Sequence, residues 1–397
     1  MKACIRRGAN QIGGSAVELE SQGARIIIDL GLPLDAEVNT PDLLPVIAGL
    51  NPKTDDLLGL VVSHPHQDHS ALGFHIDPAI PVYMGAAASR IMKVPVEFNL
   101  PNAFAFENVR EMEGFKHFTL GPFKITPYPV DHSAYDAYAL MIEADERRVF
   151  YSGDFRAHGR TSKRVEHLLE NPPCNVDVLM MEGTSMGRSE EAFESETDLE
   201  AKFTDAFREA KGLVVVQTSS QNIDRVVTVY RACKRTKRTL VMSGYTGRIM
   251  MVTENENLPN FRWPDVRKFA DNHDKSHHVT VEDIAASPNK YVVILINKIT
   301  SALESCGMLG GALLIYSMSK GYKEKHKTLR AKFAEVIDDG FHTSGHADIP
   351  TLKRLVEAIE PKRLIPIHTF EPERFEKLFA NEKTKVEIHP DNETFKV

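Results

Sequence analysis

The chain has 397 residues, 42% of them hydrophobic, and a net charge of −7. That length exceeds one ordinary core and points to two domains, and the acidic balance excludes global attraction for a polyanion, so any nucleic-acid contact needs a local basic surface or bound metal charge. No stretch approaches the ~20 apolar residues of a membrane span, residues 1–7 are charged without an apolar signal core, and Cys4, Cys174, Cys233 and Cys306 form no C-x-x-C pair; together these read as a reduced, cytoplasmic protein.

In chain order, residues 15–20 alternate polar and apolar, Gly23 turns, and 25–30 run Arg-Ile-Ile-Ile-Asp-Leu, a pair of strands. Asp29 interrupts the run where the strand should end; taken alone it is a turn-capping carboxylate. Residues 57–62 are a further apolar run, a buried strand, followed at once by His64, His66, Asp68 and His69. Four metal-capable side chains in six residues is dense, and imidazole with carboxylate is a ligand set for zinc, manganese or iron. On an extended loop His64 and His66 point the same way. Asp68 and His69 can then turn toward a second point, which suits two ions about 3.5–4 Å apart. The competing reading is a surface loop rich in histidine.

Residues 81–85 read as a short strand and 86–93 as a helix. Strand follows strand from 104 to 155, with turns at Gly114, Gly121-Pro122 and Asp145-Glu146. One of these strands, 123–130, ends at Asp131-His132, and another, 148–152, ends at Gly153-Asp154. Residues 177–181 form a further strand ending at Glu182. Roughly 160 residues then intervene before the next histidine motif. Their rhythm is helix 198–210, strand 212–217, a polar loop through Ser219, Ser220 and Asn222, helix 223–233 and strand 238–242. Strands at 291–297 and 311–317 complete the alternation expected of a parallel α/β sheet. Residues 255–288 read as irregular, with His273, His277 and His278 solvated. Arg231, Lys234, Arg235, Lys237 and Arg238 are the best basic cluster, or else a solvated helix end. The chain returns through Ser344-Gly345-His346 to a helix at 349–359, a strand at 363–367 ending at His368, a helix at 371–380 and two short closing strands.

The H-x-H-x-D-H stretch at 64–69, followed in order by His132, Asp154, Glu182, a large α/β insert, His346 and His368, resembles the β-CASP branch of the metallo-β-lactamase superfamily. The opening residues 8–15 and the helix start Asn222-Ile223-Asp224-Arg225 also look like the ribonuclease J group of that branch. The resemblance implies an αββα sandwich from residues 1–184 and 342–397, with a parallel α/β β-CASP domain inserted at 185–341. It implies two divalent ions, zinc before manganese. His64, His66 and His132 would hold one; Asp68, His69 and His368 the other, with Asp154 between them and Asp29 bracing the metal loop by hydrogen bonds. Asp68, His346 and Glu182 would carry the chemistry. A water activated between the ions attacks phosphorus, His346 serves the departing oxygen, and Glu182 orients His346. Ser344, Gly345, Ser219, Ser220 and Asn222 offer donors to substrate phosphates, or serve as ordinary turn and cap residues. A histidine at the last motif, His368, goes with RNA rather than DNA enzymes in the branch. The expected partner is RNA, single-stranded, in a cleft between the two domains; a homodimer is left open, as are exonucleolytic against endonucleolytic cleavage and the RNA target. Two other readings compete: a small-molecule hydrolase of the superfamily, and an inactive RNA-binding scaffold.

Overall fold

The computed structural model describes residues 1–188, 190–270 and 277–397; His273 lies outside them. They form two compact units, one of Met1–Ala157, Thr161–Ala192 and Gly345–Val397, the other of His158–Arg160 and Phe193–Ser344. The division therefore runs after Ala192 and Ser344, against 184 and 341 expected.

In the first unit, β1 (Lys2–Arg7), β2 (Ala16–Ser21), β3 (Ala24–Ile28), β4 (Leu57–Val61), β5 (Val82–Gly85) and β6 (Val109–Met112) lie side by side in that order, and the strand Thr394–Lys396 borders β1. A second sheet runs β7 (Phe118–Leu120), β8 (Phe123–Pro129), β9 (Tyr138–Ala144), β10 (Arg147–Tyr151), β11 (Val178–Glu182), then the strands Arg363–Ile367 and Lys385–Val386. Side chains alternate faces along a strand, and that alternation builds the layers. Ile26, Ile28, Val61, Leu140, Ile142, Val149, Tyr151, Val178 and Met180 share one core, contributed by both sheets. Their neighbours face outward. Ile27, Leu60 and Val82 meet Ala88 and Met92 of the helix Ala86–Glu97. Met141, Phe150 and Leu179 meet Leu168, Leu352, Leu355 and Phe375 from the helices Lys163–Glu170, Ile349–Ile359 and Glu373–Leu378. Helix, sheet, sheet, helix is the αββα sandwich.

The second unit is one sheet of β12 (Val214–Gln217), β13 (Thr239–Met242), β14 (Val266–Phe269), β15 (His278–Val279), β16 (Tyr291–Ile294), β17 (Leu313–Tyr316) and β18 (Glu335–Ile337). Its spatial order is β15-β14-β13-β16-β12-β17-β18 and every pairing is parallel. Val215, Val241, Val293 and Leu314 pack one face against Ile284, Ile299 and Leu303. The stretch expected to be irregular, 255–288, instead holds β14, β15 and the helix Val281–Ala286. His277 hydrogen-bonds through its carbonyl to Lys268, and His278 is part of β15, so neither is a free loop residue.

The helix Ile223–Thr236 starts where the Asn222 side chain accepts the Arg225 amide and stops at Lys237 in left-handed conformation. The basic cluster at its end is tied down. Arg235 and Arg231 reach Glu200 at 2.7 and 3.7 Å. Arg238, 7% exposed, donates to the carbonyls of Gly212 and Ala210. Arg235, with Lys234, stands in the last turn of this helix, where the dipole favours positive charge, and Arg238 closes on carbonyls that follow the helix Glu196–Glu209. No described helix is long and apolar enough to cross a membrane.

Candidate metal centre

The centre grows from the exits of β3 and β4. β4 ends at Val61, and the chain bends at Ser63 and reaches His66 in extended geometry before coiling through one helical turn, Gln67–Ser70. Asp68 and His69 thus leave from a helical turn rather than from an extended loop, which is what aims them away from His64 and His66. The turn is held by amides of Ser15, Leu30 and Leu32, which donate to the carbonyls of Asp68, His69 and Gln67. Gly31 permits that approach, since a Cβ there would lie 1.6 Å from the Asp68 carbonyl oxygen.

Two groups of ligand atoms result. His64, His66 and His132 form one and Asp68, His69, Asp154 and His368 the other; His132 and Asp154 form a further set with His346, and within each set the atoms lie within 4.8 Å of one another. Asp154 sits between the two groups. Its Oδ2 is 3.1 Å from His69 Nε2, 3.7 Å from His64 Nε2 and 3.8 Å from His368 Nε2. His132 Nε2 and His66 Nδ1 face each other at 3.1 Å, an arrangement of two nitrogens that a shared cation relieves.

The far side of most rings is fixed by the protein. His64 Nδ1 meets the Ser63 hydroxyl at 3.0 Å, His69 Nδ1 the Asp29 carboxylate at 2.8 Å, and His368 Nδ1 the Ser15 hydroxyl at 2.7 Å. His132 Nδ1 donates to the Gly345 carbonyl. Such partners set which nitrogen is left to bind. The inward atoms His64 Nε2, His69 Nε2, His368 Nε2 and both Asp154 oxygens are buried without a hydrogen-bond partner. Burying five bare polar atoms is costly, and divalent cations answer that cost with these donors in particular. The residues fit a divalent metal centre.

Electrostatics agree. Burial, then the neighbouring imidazoles, hold His64 and His132 well below the usual histidine range, in the neutral state a ligand needs. Burial likewise lowers His66 and His368. His69 is the exception: burial pushes it down, but Asp154 and Asp29 raise it well above the ordinary value. Burial would raise Asp154, but His368, His69 and His346 hold it ionised well below the carboxylate range.

Beside this centre His346 presents Nδ1 to Glu182 Oε2 at 2.9 Å, with Asp154 Oδ2 at 3.5 Å. Burial opposes its charge, yet Glu182 and Asp154 lift its pKa to about 9. Glu182 is itself fixed at β11's end: its other oxygen accepts the Phe155 amide, and its own amide donates to Ser152.

All the expected ligands, Asp29, Glu182 and His346 therefore meet in the first unit. Of the five expected phosphate-binding residues, Gly345 belongs to the first unit and Ser219, Ser220, Asn222 and Ser344 to the second. Gly345 turns its carbonyl to His132, and the Ser344 carbonyl accepts from His158 in the second unit. Ser219 Oγ accepts the Gln221 amide, Ser220 Oγ bonds Thr246, and Asn222 caps its helix. The side chains of Ser219, Ser220 and Asn222 thus take part in turn and cap bonds within the second unit. The sequence reading missed Ser15, Ser63, Tyr151 and the Gly345 carbonyl as supports. Ser63 directly precedes His64, a local signal; the others are distant in sequence from the rings they serve.

Two family models match the chain, a beta-lactamase superfamily domain over residues 25–216 and a Zn-dependent metallo-hydrolase RNA specificity domain over residues 334–390. Ribonuclease J of Mycoplasma genitalium is 24% identical over 94% of this chain and 69% of its own length. That of Helicobacter pylori is 23% identical over 91% and 55%, and that of Mycobacterium tuberculosis 24% identical over 91% and 67%. The chain thus spans between about half and two thirds of the length of these curated relatives. A crystal structure of a protein of unknown function from Enterococcus faecalis superposes with a TM-score of 0.82 at 22% identity, covering 99% of both chains, and shares the fold. The sandwich and its His/Asp centre are those of a metallo-β-lactamase-type metallo-hydrolase. Within that class, the two family matches and the ribonuclease J relatives support a member of the β-CASP metallo-β-lactamase family.

Proposed function

We propose that the chain is a metal-dependent ribonuclease, hydrolysing phosphodiester bonds of single-stranded RNA with an activated water. The observation that carries this reading is the convergence of two buried ligand groups on Asp154, with the His346–Glu182 pair beside them. The ribonuclease J relatives and the RNA-specificity match over residues 334–390, which contain both His346 and His368, support RNA as substrate.

Two divalent ions, zinc by preference, supply positive charge that brings a water's pKa toward neutrality and balances charge at phosphorus. His64, His66 and His132 would hold one and Asp68, His69 and His368 the other, with Asp154 shared. Asp29, Ser15, Ser63 and the Gly345 carbonyl keep the imidazoles in the ligating tautomer. His346, partly exposed at 20% and held protonated by Glu182, is placed to give a proton to the departing oxygen from Nε2. Glu182 fixes Nδ1 and so leaves that nitrogen free to act.

The test is a time course on RNA labelled at its 5′ end, comparing 5′-monophosphate with 5′-triphosphate. Metal-dependent cleavage is expected, and the product ladder separates 5′-end from internal attack. His66→Ala and Asp154→Ala should lose metal and activity together. His346→Ala should keep its metal and lose about 10²–10⁴-fold in kcat. Loss of metal in His346→Ala would overturn the division of roles, and hydrolysis of chromogenic esters without RNA cleavage would overturn the substrate.

A further inference from the structure

The second unit carries a surface that the metal centre does not use. Residues 316–332 hold six Lys and Arg against one Glu, in a chain of net charge −7. They follow β17, so they start at the carboxyl end of a parallel sheet, the edge where open α/β folds place ligands. The stretch is also layered. Lys325 lies over the Tyr322 ring, 5.7 Å from its centroid. Tyr322 stacks on His326 at 6.5 Å with a 28° tilt, His326 lies 6.0 Å from Tyr316, and Arg330 covers Tyr316 at 5.5 Å. The column is buried at Tyr316 and open at Tyr322, which is 46% exposed.

The cations here are loosely held. Lys320–Asp339 is 3.8 Å long and Lys327–Glu324 3.9 Å, with all four side chains at least 68% exposed. Exposed pairs of this kind contribute little and exchange readily for another anion. Lys325 pairs with no carboxylate among the described residues. Lys323 and Arg330, by contrast, are pinned to Asp338 and Asp339 and hold the loop in place. The basic helix end at 231–238 differs: its arginines close on Glu200 and on carbonyls, and its nearest aromatic, Tyr230, is buried against Trp263 and Asp265.

We infer that Tyr322, with Lys320, Lys325 and Lys327, is a contact surface for single-stranded RNA, where a base displaces the Lys325 ammonium from the Tyr322 face and the three ammonium groups turn to flanking phosphates. Stacking on an aromatic ring amid lysines is how unpaired strands are bound without reading sequence. The inference rests on RNA as substrate and adds where on this chain the strand is held. A folded protein partner with an acidic face would use the lysines but not need an open ring.

The metal-loaded full chain would be titrated with a phosphorothioate-linked, cleavage-resistant oligoribonucleotide at several salt concentrations. Tyr322→Ala should weaken binding about tenfold. Replacing Lys320, Lys325 and Lys327 together by Gln should lower the slope of log affinity against log salt by about 2. Both variants should hydrolyse bis-p-nitrophenyl phosphate at the wild-type rate, which shows that the metal centre is intact. Equal RNA affinity and salt slope in wild type and variants would overturn this surface alone. A salt effect without any loss in Tyr322→Ala would overturn the stacked base. An oligoribonucleotide that fails to bind even the wild type would remove the RNA reading itself.

Discussion

Asp29 accepts four hydrogen bonds at its two oxygens. The amide and hydroxyl of Ser63 donate at 2.7 and 2.8 Å, the Tyr151 phenol at 2.7 Å, and His69 Nδ1 lies at 2.8 Å. Of the four candidate ligand rings held from behind at Nδ1, His69 alone has a carboxylate there; the others meet a hydroxyl or a carbonyl. A carboxylate makes a ligating imidazole a stronger donor, and each added hydrogen bond to that carboxylate softens the effect. Tyr151→Phe removes one such bond and nothing exposed, since Tyr151 is fully buried. The expected outcome is a few-fold tighter binding at the position served by His69 with the other unchanged, read from a Co2+ titration of the metal-free chain; Asp29→Asn should weaken it by about 10–100-fold. The ligands themselves were legible because they crowd into 64–69 or sit at strand ends. Ser15 and Tyr151 were not, because a serine just before a strand or a tyrosine closing one reads as ordinary until the fold brings it to His368 or to Asp29.

Elements were legible in proportion to their length and their alternation. The strand at 363–367 and the helix at 349–359 matched their expected bounds, since each carries an uninterrupted period and sharp stops. β14 did not show itself: Val-Arg-Lys-Phe is too short to display a period, and it becomes a strand by pairing with β13 and β15. The helices Gly244–Val252 and Asn297–Ser305 also passed unread, each following a short strand after only one or two residues. In the second unit one ion pair joins several elements. Arg225 and Glu196, 0% and 1% exposed, meet at 2.9 Å, and Arg225 also donates to the Ser317 hydroxyl and the Phe341 carbonyl. Removing one charge of a buried pair strands the other. Glu196→Gln should therefore cost about 3–5 kcal/mol, measured as a lower denaturation midpoint of the second unit with the first unit's metal content unchanged.

At the scale of the whole molecule, the two units should answer differently to chelation. Ions that bind only the folded form stabilise by RT ln(1 + [L]/Kd), about 2.7 kcal/mol at a hundredfold excess over Kd. Every candidate ligand lies in the first unit. Calorimetry with EDTA should thus lower one transition and leave a second in place; a single transition falling as a whole would show that the units unfold together. The two-unit plan was legible from the insert between Glu182 and His346, but its limits were not. Residues 185–192 carry no periodic pattern, and the three residues His158–Arg160 join the second unit through bonds from Arg160 to Glu200, Asp224 and Thr228, which no local signal announces.

His368 ties Ser15 and Gly8 to the far end of the same unit, and β1 pairs with the strand Thr394–Lys396. Between those partners in the chain stands the whole of residues 193–344. Synthesis proceeds from one end, and domains fold as they emerge. A ribosome must therefore deliver the complete insert before His368 exists to close the centre. Until then a growing chain carries an incomplete centre, and that centre can close only once the segment with His368 has emerged.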